Sequence, residues 1–316
     1  MKSTRIIFFG TPEFAIPALG SLVRSGFNVA VVVTQPDKPV GRGLRVEPSP
    51  IKIKAQELGI PTLQPNTLRN DDATQMLRAL QADLAVVVAY GKIIPTSVLD
   101  LFPRGVLNLH PSLLPKYRGP SPIQSAILNG DAKTGVTLML LDAEMDHGPV
   151  LAARAYPITP NTRSSELSAT LAHAGAELLI NTMPGWLEGK LPPQEQDHRT
   201  ATFTKLLERE DGRMNWNNSA EYRDRMVHAY DLWPGTWTLW GGERVKILRT
   251  TLLHATISCA NNATPGYVWK TADGRLAVNC SPGSLILEQL QREGKKSASG
   301  SEFLRGYPKF IGNFLV

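Results

Sequence analysis

Residues 5–34 read RIIFFGTPEFAIPALGSLVRSGFNVAVVVT, and the order of features within them decides the fold. A short apolar run from Arg5 to Phe9 meets Gly10-Thr11-Pro12-Glu13, where Thr11 is placed to cap a helix and Pro12 to take its first position. The helix would run through Phe14, Pro17, Leu19 and Leu22 to Gly26. Phe27 to Thr34 is then mostly valine and alanine, as expected of a strand buried on both faces. Strand, tight glycine turn, helix and buried strand open a doubly wound, mostly parallel α/β sheet. The first turn holds a single glycine, so the dinucleotide fingerprint GxGxxG is absent and a nicotinamide cofactor is disfavoured.

The alternation continues outward. Helices are expected over 51–58, 71–80 and 95–101, with strands over 60–63 and 83–90. Ligands in such sheets sit outside the carboxyl ends of the strands, where Gly10, Tyr90, Asn108 and His110 all fall. Between the second strand and the next helix, residues 35–50 (QPDKPVGRGLRVEPSP) hold four prolines and two glycines and are expected to be an exposed, irregular loop. Arg42 between Gly41 and Gly43 is a guanidinium on a flexible arm, suited to a phosphate or a stacked base.

The 316 residues suffice for two domains, and 42% hydrophobic content supplies a core. A helix over 123–128, a strand over 151–158 and a long helix over 164–187 complete a first domain, residues 1–188. Proline, glutamine and charge from 189 onward mark a linker to about 207. The remainder, 208–316, carries a short helix and strand-like pieces around 245–248, 266–270, 276–279 and 285–289, suggesting a small β-barrel. Trp233, Trp237 and Trp240 there suit core or interface positions better than base stacking.

The opening MKSTRIIFFG lacks a signal-peptide core, and no apolar run approaches the ~18 residues that span a bilayer. A cytoplasmic protein without a membrane partner is expected. Cys259 and Cys280 lack metal-ligand or disulfide spacing, so no metal site is expected. The net charge of +6 suggests a polyanionic partner and is concentrated in two pieces. In one, Lys38, Arg42, Arg45, Lys52 and Lys54 outweigh Asp37 and Glu47. In the other, Arg292, Lys295, Lys296, Arg305 and Lys309 outweigh Glu293 and Glu302.

The chemistry gathers between Gly105 and Val150. Asn108 and His110 lie two apart at the end of an apolar run, so a strand there projects both from one face. Asp146 follows a second strand-like run, 136–141, and joins them only through folding. A converging amide, imidazole and carboxylate can stabilise an oxyanion and shuttle a proton, as acyl-type transfer requires. Each alone has an ordinary structural role: a satisfied strand-end histidine, a capping asparagine, a strand-ending aspartate. Their co-occurrence with the proline-bracketed loop Pro111-Ser112-Leu113-Leu114-Pro115 favours function. His147 competes with His110 as neighbour of Asp146 but lacks an asparagine partner. His173, His198, His228 and His254 are given no chemistry.

The chain resembles the methionyl-tRNA formyltransferases along nearly its full length. The resemblance is carried by FFGTPEFA, VTQPDKPVGRG, PSPIKIKA, AYGKIIP, LNLHPSLLPKYRGPSPIQ, GDAKTGVTLMLLDAEMDHGPVL, REDGRMNW and LWPGTW. It implies a Rossmann-like formyltransferase fold with an OB-like C-terminal domain. It also implies catalytic Asn108, His110 and Asp146, and a site for the formyl donor 10-formyltetrahydrofolate lined by Ser112, Leu113, Leu114, Pro115 and Tyr90. The acceptor would be methionyl initiator tRNA, met by Lys38, Arg42 and Arg45, with a monomeric enzyme, no DNA and no metal. Asn108 and protonated His110 would donate to the oxyanion. Asp146 would hold the imidazole's tautomer or relay a proton to N10 of the folate. The chain departs from the family's pattern at Leu44, which stands where a second cation often follows GRG, at His147 for a common Thr, and at Asn215 for Asp. The rival readings are a formyltransferase for a small amine and a non-catalytic RNA-binding module, which leaves the Asn/His/Asp set unexplained.

Overall fold

The computed structural model describes residues 4–40, 45–253 and 264–316. The chain divides into two compact units: Met1–Pro122, Lys133–Pro157 and Ser168–Lys205 form the first, and Ile123–Ala132, Ile158–Leu167 and Leu206–Val316 the second.

In chain order the elements up to residue 110 are β1 (Arg5–Gly10), α1 (Ile16–Arg24), β2 (Asn28–Val33), β3 (Lys38–Val40), β4 (Arg45–Glu47), α2 (Pro50–Glu57), β5 (Thr62–Leu63), α3 (Asp71–Ala79), β6 (Leu84–Val88), α4 (Thr96–Leu99) and β7 (Val106–His110). Next come α5 (Pro122–Asn129), β8 (Lys133–Leu140), β9 (Val150–Pro157) and α6 (Ser164–Leu187). One seven-stranded sheet runs β5-β2-β1-β6-β7-β8-β9, parallel from β5 to β7 and antiparallel over β8 and β9. The chain winds outward from β1 in one direction, then returns to place β6 on β1's other side. Direction of winding reverses there, the position at which ligands bind in sheets of this kind.

Alternate side chains explain why both faces are covered. Ile6, Phe8, Val86, Leu107 and Leu109 face α1, α2 and the later turns of α6, through Leu19, Leu22, Ile51, Ala176, Leu179 and Met183. Ile7, Phe9, Ala85, Val87 and Val106 face a second cluster with Ala73, Leu77, Val98 and Phe102. The apolar run of β6 is buried at every position, as a strand covered on both faces must be.

Two expectations change. Thr11 caps no helix: a 3₁₀ turn, Glu13–Ala15, precedes α1, and the Thr11 hydroxyl donates to the Tyr90 carbonyl at 2.9 Å, tying the end of β1 to the end of β6. Residues 35–50 are not wholly irregular, because β3 and β4 pair as an antiparallel hairpin with Pro39 opposite Val46. Both strands of a two-stranded ribbon are edges, where the missing proline N–H is tolerated. Arg42 and Leu44 lie outside the described residues, as do Cys259 and His254. Cys280 is buried, and burial pushes its thiol up to about 12.

The second unit carries α7 (Ala220–Ala229), β10 (Thr236–Trp240), β11 (Glu243–Leu252), β12 (Val268–Lys270), β13 (Leu276–Asn279), β14 (Ser284–Arg292), β15 (Ala298–Ser299) and α8 (Gly300–Gly306). Its antiparallel sheet is ordered β10-β11-β14-β13-β12, with β15 on β14, and forms a half-barrel. Register shifts near Arg249 bend β11. Trp237 is buried, whereas Trp233 is 54% exposed. Asn215 accepts a bond from the Asn217 N–H through Oδ1 at 3.1 Å, a role that Asp and Asn fill equally well. Among the described residues, no helix is long and apolar enough to cross a membrane.

Candidate active site

β7 lies beside β6, and its pleat puts Asn108 and His110 on the face of Val106, just past the core. Both are nearly buried, at 8% and 5% exposure. The Asn108 amide has no hydrogen-bond partner among the described residues, so its two N–H donors are uncommitted.

His110 is committed on one edge. Its Nε2 lies 2.9 Å from the Tyr117 carbonyl oxygen. A carbonyl only accepts, so Nε2 carries a proton. Nδ1 then faces Asp146 Oδ2 at 3.5 Å, beyond hydrogen-bond length but within strong electrostatic reach. Tyr117 and Asp146 both have positive φ, 61° and 50°. Left-handed backbone in non-glycine residues is uncommon, and here two such residues turn their oxygens towards one imidazole.

β8 runs antiparallel to β7, passing His110 at Thr137 and ending at Leu140 opposite Leu107. Past the end of β8 the chain doubles back to β9, and Asp146 sits in that turn. Its Oδ2 accepts the Gly119 N–H at 2.7 Å, while Oδ1 has no partner among the described residues. Two glycines make the approach possible. A side chain at Gly148 would collide with the Leu140 carbonyl, and one at Gly119 (φ +106°) with Thr204.

The proline-bracketed loop is pinned from inside. Ser112 is fully buried, its hydroxyl donates to Lys116 O at 2.6 Å, and its carbonyl accepts from Thr137 Oγ1 at 2.7 Å. Leu113, Leu114 and Pro115 are half-buried, so they retain apolar surface for a ligand. The ring of Tyr90 is in the core, edge-on to Phe9, and burial pushes its phenol up to about 12. What Tyr90 brings to the strand ends is its carbonyl, which accepts from Thr11 and from Gln35. Lys38 and Arg45 are exposed on the hairpin, Lys38 donating to Gln35 Oε1 at 2.7 Å.

His147 does not compete for Asp146: its Nδ1 lies 2.7 Å from Asp142 Oδ2. It stacks on His198, with ring centroids 4.0 Å apart, although His198 belongs to the stretch assigned to the linker. Two residues and one segment of this neighbourhood were not singled out from sequence. Arg118 is 3% exposed and donates to His198 Nδ1 at 2.8 Å and to Gln196 Oε1. Gln196 donates in turn to the carbonyls of Asp146 and Gly148. Residues 202–204 then pair with 115–118 by backbone hydrogen bonds. Nothing local marks these positions, because each partner lies some fifty to eighty residues away along the chain.

The formyl transferase family model matches residues 4–183, and the model for the formyl transferase C-terminal domain matches 206–308. The chain is 46% identical to a methionyl-tRNA formyltransferase of Roseiflexus sp. (strain RS-1), over 96% of this chain and 92% of that one. It is 39% identical to that of Trichlorobacter lovleyi, over 100% and 98%. Among solved structures, WlaRD, a sugar 3N-formyl transferase in the presence of dTDP and 5-N-formyl-THF, has a similar fold (TM-score 0.65, 17% identity, 94% of this chain and all of that one). HypX from Aquifex aeolicus in complex with tetrahydrofolic acid superposes at TM-score 0.66 and 17% identity, this chain covering 51% of it.

Proposed function

Because the chain belongs to the formyl transferase family, and matches methionyl-tRNA formyltransferases over nearly its whole length, we propose that it formylates methionyl-tRNA through Asn108, His110 and Asp146. The donor is formyl-tetrahydrofolate, specifically the 10-formyl form, which supplies an activated formyl group on N10. A nearly buried amide with uncommitted donors, beside half-buried apolar residues 113–115, suits such a group. The acceptor amine attacks the formyl carbon, the bond to N10 breaks, and one proton must leave the amine while one reaches N10.

The single observation that carries the reading is the convergence of an uncommitted Asn108 amide with a His110–Asp146 pair at the carboxyl ends of β6 and β7. The free N–H groups of Asn108 donate to the formyl oxygen as charge develops there. His110 is better suited to the proton than to the oxyanion, since Nε2 is held by Tyr117 and only Nδ1, facing Asp146, is left. The unpartnered Oδ1 of Asp146 can take the amine's proton, directly or through water, and pass it towards N10. This division of labour differs from one in which His110 supplies the second oxyanion donor.

The initiator tRNA is the acceptor in this reading, held by the exposed Lys38 and Arg45, by Arg42, and by an OB-like second domain. The enzyme would act as a cytoplasmic monomer without DNA or a metal. The division into residues 1–188, 189–207 and 208–316 assigns chemistry to the first part and tRNA to the last. Incubation with 10-formyltetrahydrofolate and either methionyl-tRNA or free small amines tests it. Formylation of the tRNA is the expected result. Formylation of small amines alone would move the chain to the small-acceptor branch, and no folate-dependent product would leave a binding module.

A further inference from the structure

Asp146 is gripped from two sides by residues outside the catalytic set. Gln196 is 7% exposed, and its Nε2 donates to the carbonyl oxygens of Asp146 at 2.9 Å and Gly148 at 2.7 Å, the residues flanking His147. Its Oε1 accepts from Arg118 Nε at 3.2 Å and Nη2 at 2.8 Å. Both amide hydrogens and the amide oxygen are therefore in use. Arg118 is followed directly by Gly119, whose N–H binds the Asp146 carboxylate at 2.7 Å. A closed circuit results, in which the main chain of Asp146 leads through Gln196, Arg118 and Gly119 back to its own Oδ2.

The circuit acts where the backbone has least freedom to correct itself. Asp146 holds φ at 50°, a conformation that surrounding contacts must impose on a residue with a Cβ. We propose that Gln196 is a positioning residue for the known reaction: it sets the left-handed turn at Asp146 and so the 3.5 Å approach of that carboxylate to His110. The inference rests on the reading of Asp146 as catalytic. Loss of the amide leaves two carbonyls in a buried turn without donors and frees the turn to relax. Displacements of about 1 Å in a catalytic group can cost on the order of 100-fold in rate.

Full-length protein carrying Gln196→Met, Asp146→Asn, or both tests this. Methionine keeps the side chain's length and removes every hydrogen bond, and Asn tolerates positive φ while losing the charge. Gln196→Met should lower kcat for formylation at least about tenfold while the KM values for methionyl-tRNA and for the folate stay within about threefold. Added to Asp146→Asn, it should change kcat by less than about twofold, because the group it positions is already disabled. Near-normal Gln196→Met beside a crippled Asp146→Asn would overturn the positioning role and leave the catalytic assignment intact. So would fully multiplicative effects, which mean that Gln196 acts independently. A near-normal Asp146→Asn would instead remove the catalytic assignment, and the positioning role with it. If Gln196→Met does not fold, Gln196→Glu is measured by the same criteria, since it keeps an oxygen on Arg118 while removing the donors to Asp146 and Gly148.

Discussion

A histidine whose Nε2 is committed to a carbonyl has one nitrogen left for chemistry, and in this chain that nitrogen faces Asp146. In the proposed reaction this separates the three residues by role. Asn108→Ala removes the uncommitted donor, and kcat should fall about 100-fold or more, the usual size of losing one oxyanion donor. His110→Ala and Asp146→Ala should each cut formylation at least ~100-fold through the proton pathway. Initial rates on purified protein with unchanged circular dichroism check this, and near-wild-type turnover in a folded variant would remove that residue from the set. Asp146→Ala also places alanine at φ 50°, so its deficit should exceed that of Asp146→Asn, which tolerates the backbone.

At the scale of elements, the turn between β8 and β9 does most of the positioning. β8 runs antiparallel to β7 and ends at Leu140 opposite Leu107, at the start of β7. The turn that follows must therefore fold back along the sheet to bring Asp146 to His110, at the end of β7 beyond which the loop 111–115 begins. The turn closes because Gly148 can lie against the Leu140 carbonyl, where Cβ has no room. Gly148→Ala should therefore destabilise the fold by roughly 1–3 kcal/mol, the usual cost of overpacking, and lower kcat as the turn shifts. Urea unfolding monitored beside activity would show it. An unchanged midpoint would mean that the turn has slack that the close contact hides. The hairpin of β3 and β4 shows the reverse case, since a proline-rich stretch can pair when both strands are edges.

On the scale of the whole molecule, the stretch after α6 is part of the first unit, the one that carries Asn108, His110 and Asp146. Gln194 pairs with Val150, Gln196 reaches Asp146, and Thr202 and Thr204 pair with the segment that carries Tyr117 and Arg118. Both units offer cations to a partner. Net charge is +6, and the exposed cations of the β3–β4 hairpin and of the last 27 residues carry much of it. Binding to methionyl-tRNA should weaken at least about tenfold between 50 and 200 mM salt, through release of counterions, while folate affinity changes little. Filter binding or fluorescence titration at several salt concentrations measures both, and a flat tRNA response would leave the cations as a solvated surface.

The alternating runs of strands and helices determined the doubly wound sheet by themselves, because burial on both faces writes itself locally as uninterrupted Leu, Ala and Val in segments such as 84–88. Asn108 and His110 were equally legible, since a two-residue spacing on a strand fixes a shared face. Asp146 was nameable but not placeable, because it depends on how the turn after β8 folds back, which contacts from Gly119 and Gln196 decide. Tyr117's carbonyl, which decides the proton on His110, and Gln196, which holds the turn, carry no local periodicity at all. Their roles exist only once segments some seven and fifty residues distant from their targets come together, and that is a property of packing rather than of pattern.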